Sequence, residues 1–168
     1  MTLDIFVEGC DDSFSCRYSG FGYFRWQIFR GWNLELGKLY EKKFGFLWDR
    51  NDGTSGFNFG LINLLLFRGK FGGSEDGESK INQILDEYDK PYNEGFKLLY
   101  HHSDCDGEIT PDECVTLLKS FGRVDPENFD KSDKDDYEFV VEGFDIWKKM
   151  MTYAIENNKS ILLLFSIA

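Results

Sequence analysis

The sequence predicts an α+β fold, a small sheet that includes both terminal strands packed with about five to six helices, and three observations carry that expectation. Leu3, Ile5 and Val7 alternate with Asp4 and Glu8, the period-two pattern of a strand with one buried face. Ile161 to Phe165 is a short continuous apolar run after a turn, which reads as a strand buried on both faces. Between them apolar residues recur three and four apart, the helical period. At 168 residues the chain fits one domain, residues 1–168, with a single core.

After the first strand, Cys10-Asp11-Asp12-Ser13 reads as a turn. Phe21, Phe24 and Ile28 then mark a short helix, with Ser19 as its N-cap and Gly31 just past its end. Residues 34 to 48 show no clean period and fit helix, strand or irregular structure. Asn51 to Gly56 reads as a turn, Phe57 to Phe67 as a buried helix, and residues 69–78 as a flexible loop with four glycines. Ile81, Ile84, Leu85 and Tyr88 mark a helix that ends before Pro91, and Phe96, Leu99 and Tyr100 mark the next. Cys114, Leu117, Leu118 and Phe121 fall at i, i+3, i+4 and i+7 and stop at Gly122, the pattern of a capped helix. Asp125 to Asp136 reads as a solvated linker, and the stripe from Tyr137 to Ile155 as the longest amphipathic helix, ending at Asn157-Asn158.

Composition narrows the function. The chain carries 19 Lys and Arg against 30 Asp and Glu, a net charge of −11, which argues against double-stranded nucleic acid, whose affinity comes from counterion release to a basic surface. A protein partner or a small ligand is expected instead. No run approaches the ~18 apolar residues of a membrane span, and Met1 to Gly9 lacks a basic signal region, so a cytoplasmic protein without membrane association is expected. The four cysteines, Cys10, Cys16, Cys105 and Cys114, contain no CxxC pair and are expected to stay reduced.

The chemically pointed segment is His102-Ser103-Asp104-Cys105-Asp106-Gly107-Glu108-Ile109-Thr110-Pro111-Asp112-Glu113, between two predicted helices. Calcium takes about seven oxygen ligands, and a helix-loop-helix site supplies them from loop positions one, three, five, seven, nine and twelve, with glycine at six for the turn. With Gly107 at six, Asp104 is three, Asp106 five, the Glu108 carbonyl seven, Thr110 nine and Glu113 twelve. The segment resembles an EF-hand loop in all but its first residue. There His102 replaces an acid, and a hard cation ranks imidazole nitrogen below carboxylate oxygen. The readings left open are weak Ca²⁺ binding, a borderline metal such as Zn²⁺ or Mn²⁺ favoured by His102, or no metal. The same residues also make a capped helix: Thr110 as N-cap, Pro111 at N1 and Glu113 closing a capping box, with Asp104 and Asp106 in Asx turns.

The string His-Ser-Asp-Cys-Asp-Gly also resembles the first motif of DHH-type phosphoesterases, which hold Mn²⁺ for phosphodiester hydrolysis. Those enzymes need further His ligands, and this chain has only His101 and His102, so a two-metal site is not completed. A broader resemblance is to uncharacterised bacterial and phage proteins that pair Tyr18-Ser-Gly-Phe21-Gly-Tyr-Phe24-Arg25 with His102 to Glu108. That resemblance implies one intact domain and no particular chemistry.

A second segment inverts the local charge. From Ser13 to Leu34 there is no acid, and Arg17, Arg25 and Arg30 stand among aromatic residues. Arg17, Tyr18, Gly20, Gly22, Arg25 and Arg30 form a candidate site for a small nucleotide, with backbone N–H groups for phosphate and aromatic faces for a base. The plainer reading is that the aromatics are core and the arginines pair with carboxylates elsewhere.

No Ser/His/Asp order or phosphate loop is present, so a non-enzymatic role is expected. The leading expectation is a binding protein whose acidic loop, through His102, Asp104, Asp106, Glu108, Thr110 and Glu113, holds Ca²⁺ or another divalent cation. The rival is an accessory protein of bacterial or phage conflict, either an acidic inhibitor or immunity protein or one that sequesters a small nucleotide.

Overall fold

In a computed structural model, residues 2–44, 75–102 and 106–166 are described. The expected turn at 51–56 and helix at 57–67, and the part of the expected loop at 69–74, lie outside them, as do residues 45–48 and 103–105.

Strand β1 (Thr2–Phe6) hydrogen-bonds antiparallel to β2 (Ser13–Arg17) on one side and to β4 (Ile161–Ser166) on the other. Beyond β4 lies the three-residue β3 (Gly107–Ile109), giving the order β2-β1-β4-β3. The fold is α+β, with both terminal strands at the centre of one sheet. Strand β2 is not foreseen from sequence, although Phe14 and Cys16 alternate inward between exposed Ser13, Ser15 and Arg17. Ser13 therefore belongs to a strand rather than to the preceding turn, which is tightened by Gly9 at φ +84° and closed by Cys10 N–H on the Val7 carbonyl.

Strand β4 departs from the expectation of two buried faces. Ile161 and Leu163 are buried, whereas Leu162 is half-buried and Leu164 exposed, because the described helices pack on one side of the sheet. A continuous apolar run cannot distinguish one covered face from two.

Six α-helices are found among the described residues. Helix α1 (Tyr18–Trp32) is longer than expected: Ser19 lies inside it, Arg17 is the N-cap without a side-chain bond, and Gly31 is helical. The glycine is needed there for space. A Cβ at Gly31 would come within 2.6 Å of Val124 and 2.9 Å of Phe129, where the chain after the fifth helix crosses and Asp125 N–H bonds the Gly31 carbonyl. Helix α2 (Leu34–Phe44) settles the ambiguous stretch as far as Phe44, and the Asn33 side chain accepts Leu36 N–H at its start. Helix α3 (Glu75–Glu87) begins earlier than Ile81, so residues 75–78 are helical rather than loop.

Helix α4 (Asn93–His101) and helix α5 (Pro111–Phe121) flank the acidic loop, and α6 (Lys134–Asn157) is the long amphipathic helix, ending at Asn158 in the left-handed region. The expected linker at 125–136 is instead docked. Pro126–Asn128 form a 3₁₀ turn, Phe129 is buried, and Asp130 N–H donates to the Gln27 side chain. One sequence-remote partner, the buried α1, accounts for this, and polarity alone did not reveal it.

The core is one cluster centred on Trp147, against which Phe21 and Phe24 stack at 6.2 and 5.8 Å. The inward residues Leu3, Ile5, Phe14 and Leu163 join the same cluster.

Candidate functional site

The loop from His102 to Glu113 is built between two tightly crossed helices. Gly95 on α4 lies so close to α5 that a Cβ would overlap the Ser120 hydroxyl, and the Gly95 N–H donates to that hydroxyl at 3.0 Å. From α4 the chain leaves at His102 in an extended conformation. It turns at Gly107, whose φ of +134° disfavours any residue with a Cβ, and Ile109, fully buried, pairs with Ile161 in the sheet. Helix, turn glycine, short strand and second helix therefore follow in the order of an EF-hand-like loop.

At the loop's exit, Thr110 Oγ1 accepts Glu113 N–H at 3.3 Å and the Glu113 carboxylate accepts Thr110 N–H at 3.0 Å, with Pro111 at the first helical position. The capping box expected from Thr110 to Glu113 is present. At the entrance, the His102 ring nitrogen Nε2 lies 3.2 Å from the Glu108 carbonyl, and the tautomer carrying a proton on Nε2 donates to it. That carbonyl occupies loop position seven. The side chains of His102 and Glu113 thus both bond within the protein, while the Glu108 carbonyl keeps a second lone pair and Glu113 a second carboxylate oxygen. Asp106 and Glu108 are exposed, and Asp104 lies outside the described residues. Among the described residues no group of three His, Cys, Asp or Glu is arranged to hold a metal ion.

The start of the loop is fixed from behind by Arg25. This arginine is 5% exposed, and its Nη1 donates to the carbonyls of Leu99 at 3.4 Å and His102 at 3.2 Å. A guanidinium on the last carbonyls of α4 satisfies acceptors that a helix C-terminus leaves open, and it complements the negative end of the helix dipole. Its other face lies 4.6 Å from the Phe21 ring centroid. Burial pushes the pKa of the Tyr40 hydroxyl up, against the charge and hydrogen bond of Arg25. One residue after Leu99, Tyr100 is held by Lys43, which donates to its hydroxyl at 3.1 Å and ion-pairs with Glu78. The last turn of α4 is consequently tied to α1, α2 and α3. Sequence reasoning missed this hub, because Arg25 lies 74 and 77 residues from its acceptors and no local pattern marks a side chain that will cap a distant helix.

The other residues singled out in the aromatic segment do not line up with Arg25. Arg17 is exposed at the end of β2, and Tyr18 opens α1. Gly20 is buried where a Cβ would meet Cys16 at 3.2 Å, and Gly22 is half-buried one turn before Arg25. Arg30 donates through Nε to the Asn128 carbonyl at 2.8 Å and lies over Trp26 at 5.9 Å. Arg25 and Arg30 therefore spend hydrogen bonds on backbone carbonyls, whereas the plainer expectation paired them with carboxylates.

Cys10, Cys16 and Cys114 are free thiols. Burial pushes the Cys16 thiol up to about 12, helped by the Asp4 carboxylate, and burial likewise pushes Cys114 up to about 12. Thiols held protonated in this way are poor metal ligands and poor nucleophiles.

No helix among the described residues is long and apolar enough to cross a membrane. Comparison with protein-family models, with curated proteins and with solved structures found no match to this chain.

Proposed function

We propose that the chain is a non-enzymatic binding protein whose loop from His102 to Glu113 takes up a divalent cation, Ca²⁺ first, and so ties α4, β3 and α5 together. The observation that carries this reading is the placement of Gly107 at positive φ, Ile109 in a strand and Thr110 at a helix cap between two packed helices, the framework a seven-oxygen loop needs. Asp104, Asp106, the Glu108 carbonyl, Thr110 and Glu113 supply oxygen. His102 is the weak member, since it brings a ring nitrogen, bonded to the Glu108 carbonyl, where a hard cation favours a carboxylate. Binding at millimolar rather than nanomolar ion concentration follows from that missing carboxylate. The nucleotide-sequestering alternative draws no support from Arg25 and Arg30, which are engaged on carbonyls.

Thermal unfolding of chelator-stripped protein tests the reading. Ca²⁺ at about ten times a millimolar dissociation constant adds roughly 1.4 kcal/mol, a rise of about 3–6 °C. Asp106→Ala should abolish the rise. His102→Asp, which installs the missing carboxylate and frees the Glu108 carbonyl, should enlarge it. If Ca²⁺, Zn²⁺ and Mn²⁺ all leave the midpoint unchanged in both the wild type and His102→Asp, the loop is a capped turn and nothing more.

A further inference from the structure

The sheet has an inner face that belongs to the core and an outer face that does not. On the outer face the register places Phe6 opposite Leu162 and Asp4 opposite Leu164, with Glu108 opposite Leu162 on the far side and Ser13 and Ser15 opposite Phe6 and Asp4. Phe6, Leu162 and Leu164 are neighbours across the strands and along β4, and among the described residues none belongs to the core or to the hydrophobics packed against it; Phe6 and Leu162 are half-buried. Leu164, on a central strand, is 51% exposed.

An apolar trio held rigidly on a sheet is a flat contact surface, and water-exposed leucine there loses hydrophobic free energy that a covering partner would recover. Its borders decide the partner's charge. Asp4 lies between the trio and β2, and the exposed Glu108 lies on the β3 side. Arg17 stands in the outermost row, opposite Thr2, and the chain as a whole carries −11. Opposite charge steers encounter and like charge rejects wrong partners, so an acidic segment is disfavoured and a basic one favoured.

We propose that this outer face docks a basic, amphipathic segment of a protein partner, its apolar residues on Phe6, Leu162 and Leu164 and its Lys or Arg residues on Asp4 and Glu108. The inference is independent of the cation reading.

The experiment uses the full chain in chelator, which removes cation chemistry from the comparison, and follows anisotropy of two labelled synthetic peptides, one of alternating Lys and Leu and one of alternating Glu and Leu. The Lys–Leu peptide should bind saturably and shift the amide resonances of residues 2–6 and 161–166, while the Glu–Leu peptide should not bind. Leu164→Ser and Glu108→Lys should each weaken binding at least about fivefold, the scale of a partly buried leucine or an interfacial charge pair. Leu34→Ser removes an equally exposed leucine (47%) on α2 and should change nothing. Equal weakening by Leu34→Ser, or full affinity in both Leu164→Ser and Glu108→Lys, would mean that the peptide follows net charge only and would overturn the proposal. So would saturable self-association that Leu164→Ser abolishes without any peptide binding, since the occupant would then be a second copy.

Discussion

Replacing Gly95 by Ala probes the helix crossing that frames the loop. The new Cβ would overlap Ser120 Oγ and lie 2.6 Å from Ser120 Cβ and 2.9 Å from Leu117 Cα. Carbon contacts are comfortable at about 3.5–4.0 Å, so α4 and α5 have to part by roughly 1 Å. A side-chain rotation cannot relieve this, because Leu117 Cα is backbone. Overpacking of this kind costs about 2–3 kcal/mol, and the Gly95 N–H bond to Ser120 contributes about 1 more. The better helix propensity of Ala returns about 1 kcal/mol. The expected net loss is therefore about 2–3 kcal/mol, a fall in Tm of roughly 4–12 °C for a chain of this size, read by circular dichroism with a urea titration in parallel. Gly122→Ala is the matched control. Gly122 has φ −63° and its Cβ would meet only the Lys119 carbonyl at 3.2 Å, so Ala there should leave stability within about 1 kcal/mol. A Gly95→Ala variant that melts with or above the wild type would refute the close crossing of α4 on α5.

Three further outcomes follow from the geometry. Thr110→Ala removes the acceptor for Glu113 N–H and should cost about 0.5–2 kcal/mol in a urea titration without cations; no loss would mean that the cap contributes nothing. Asn158 closes α6 at φ 51°, where a Cβ is disfavoured and Asn is tolerated, so Asn158→Ala should lose about 1 kcal/mol and Asn158→Gly should not; equal effects of the two would refute the conformational argument. Arg123's paired hydrogen bonds hold the Asp89 carboxyl below its usual range against a smaller desolvation effect, with Trp32 Nε1–H adding to the lowering. A depressed carboxyl contributes stability that is fully present above the unfolded value of about 3.9 and is lost as pH falls through the folded one. The stability gap between wild type and Asp89→Asn should thus be constant from about pH 5 to 7 and shrink below about pH 4, and a gap that widens on acidification would contradict the sign.

Several elements were legible because their signals are local. Helix α5 announces itself through Thr110, Pro111 and Glu113 at one end and the spacing of Cys114, Leu117 and Phe121 along its face, and both the cap and the burial are found. The same holds for α6 and for β1. Strand β2 was obscured because serines between Phe14 and Cys16 look like turn residues until β1 pairs with them. Ser19 and Gly31 look like helix ends for the same kind of reason: their residue types favour boundaries, but burial of α1 under β2, α6 and the 124–129 segment overrides propensity.

The sequence by itself determined the fold class, the participation of both terminal strands in one sheet, the capped helix after the acidic loop and the turn at Gly107. Each of these depends on residue types within about a dozen positions, where periodicity, capping and turn chemistry act. Only the tertiary structure decided which face of β4 faces solvent, that Arg25 caps α4, and that the His102 ring meets the Glu108 carbonyl. Those outcomes depend on which remote segments share a core and on a ring's choice among nearby acceptors, and both are set by packing rather than by local pattern.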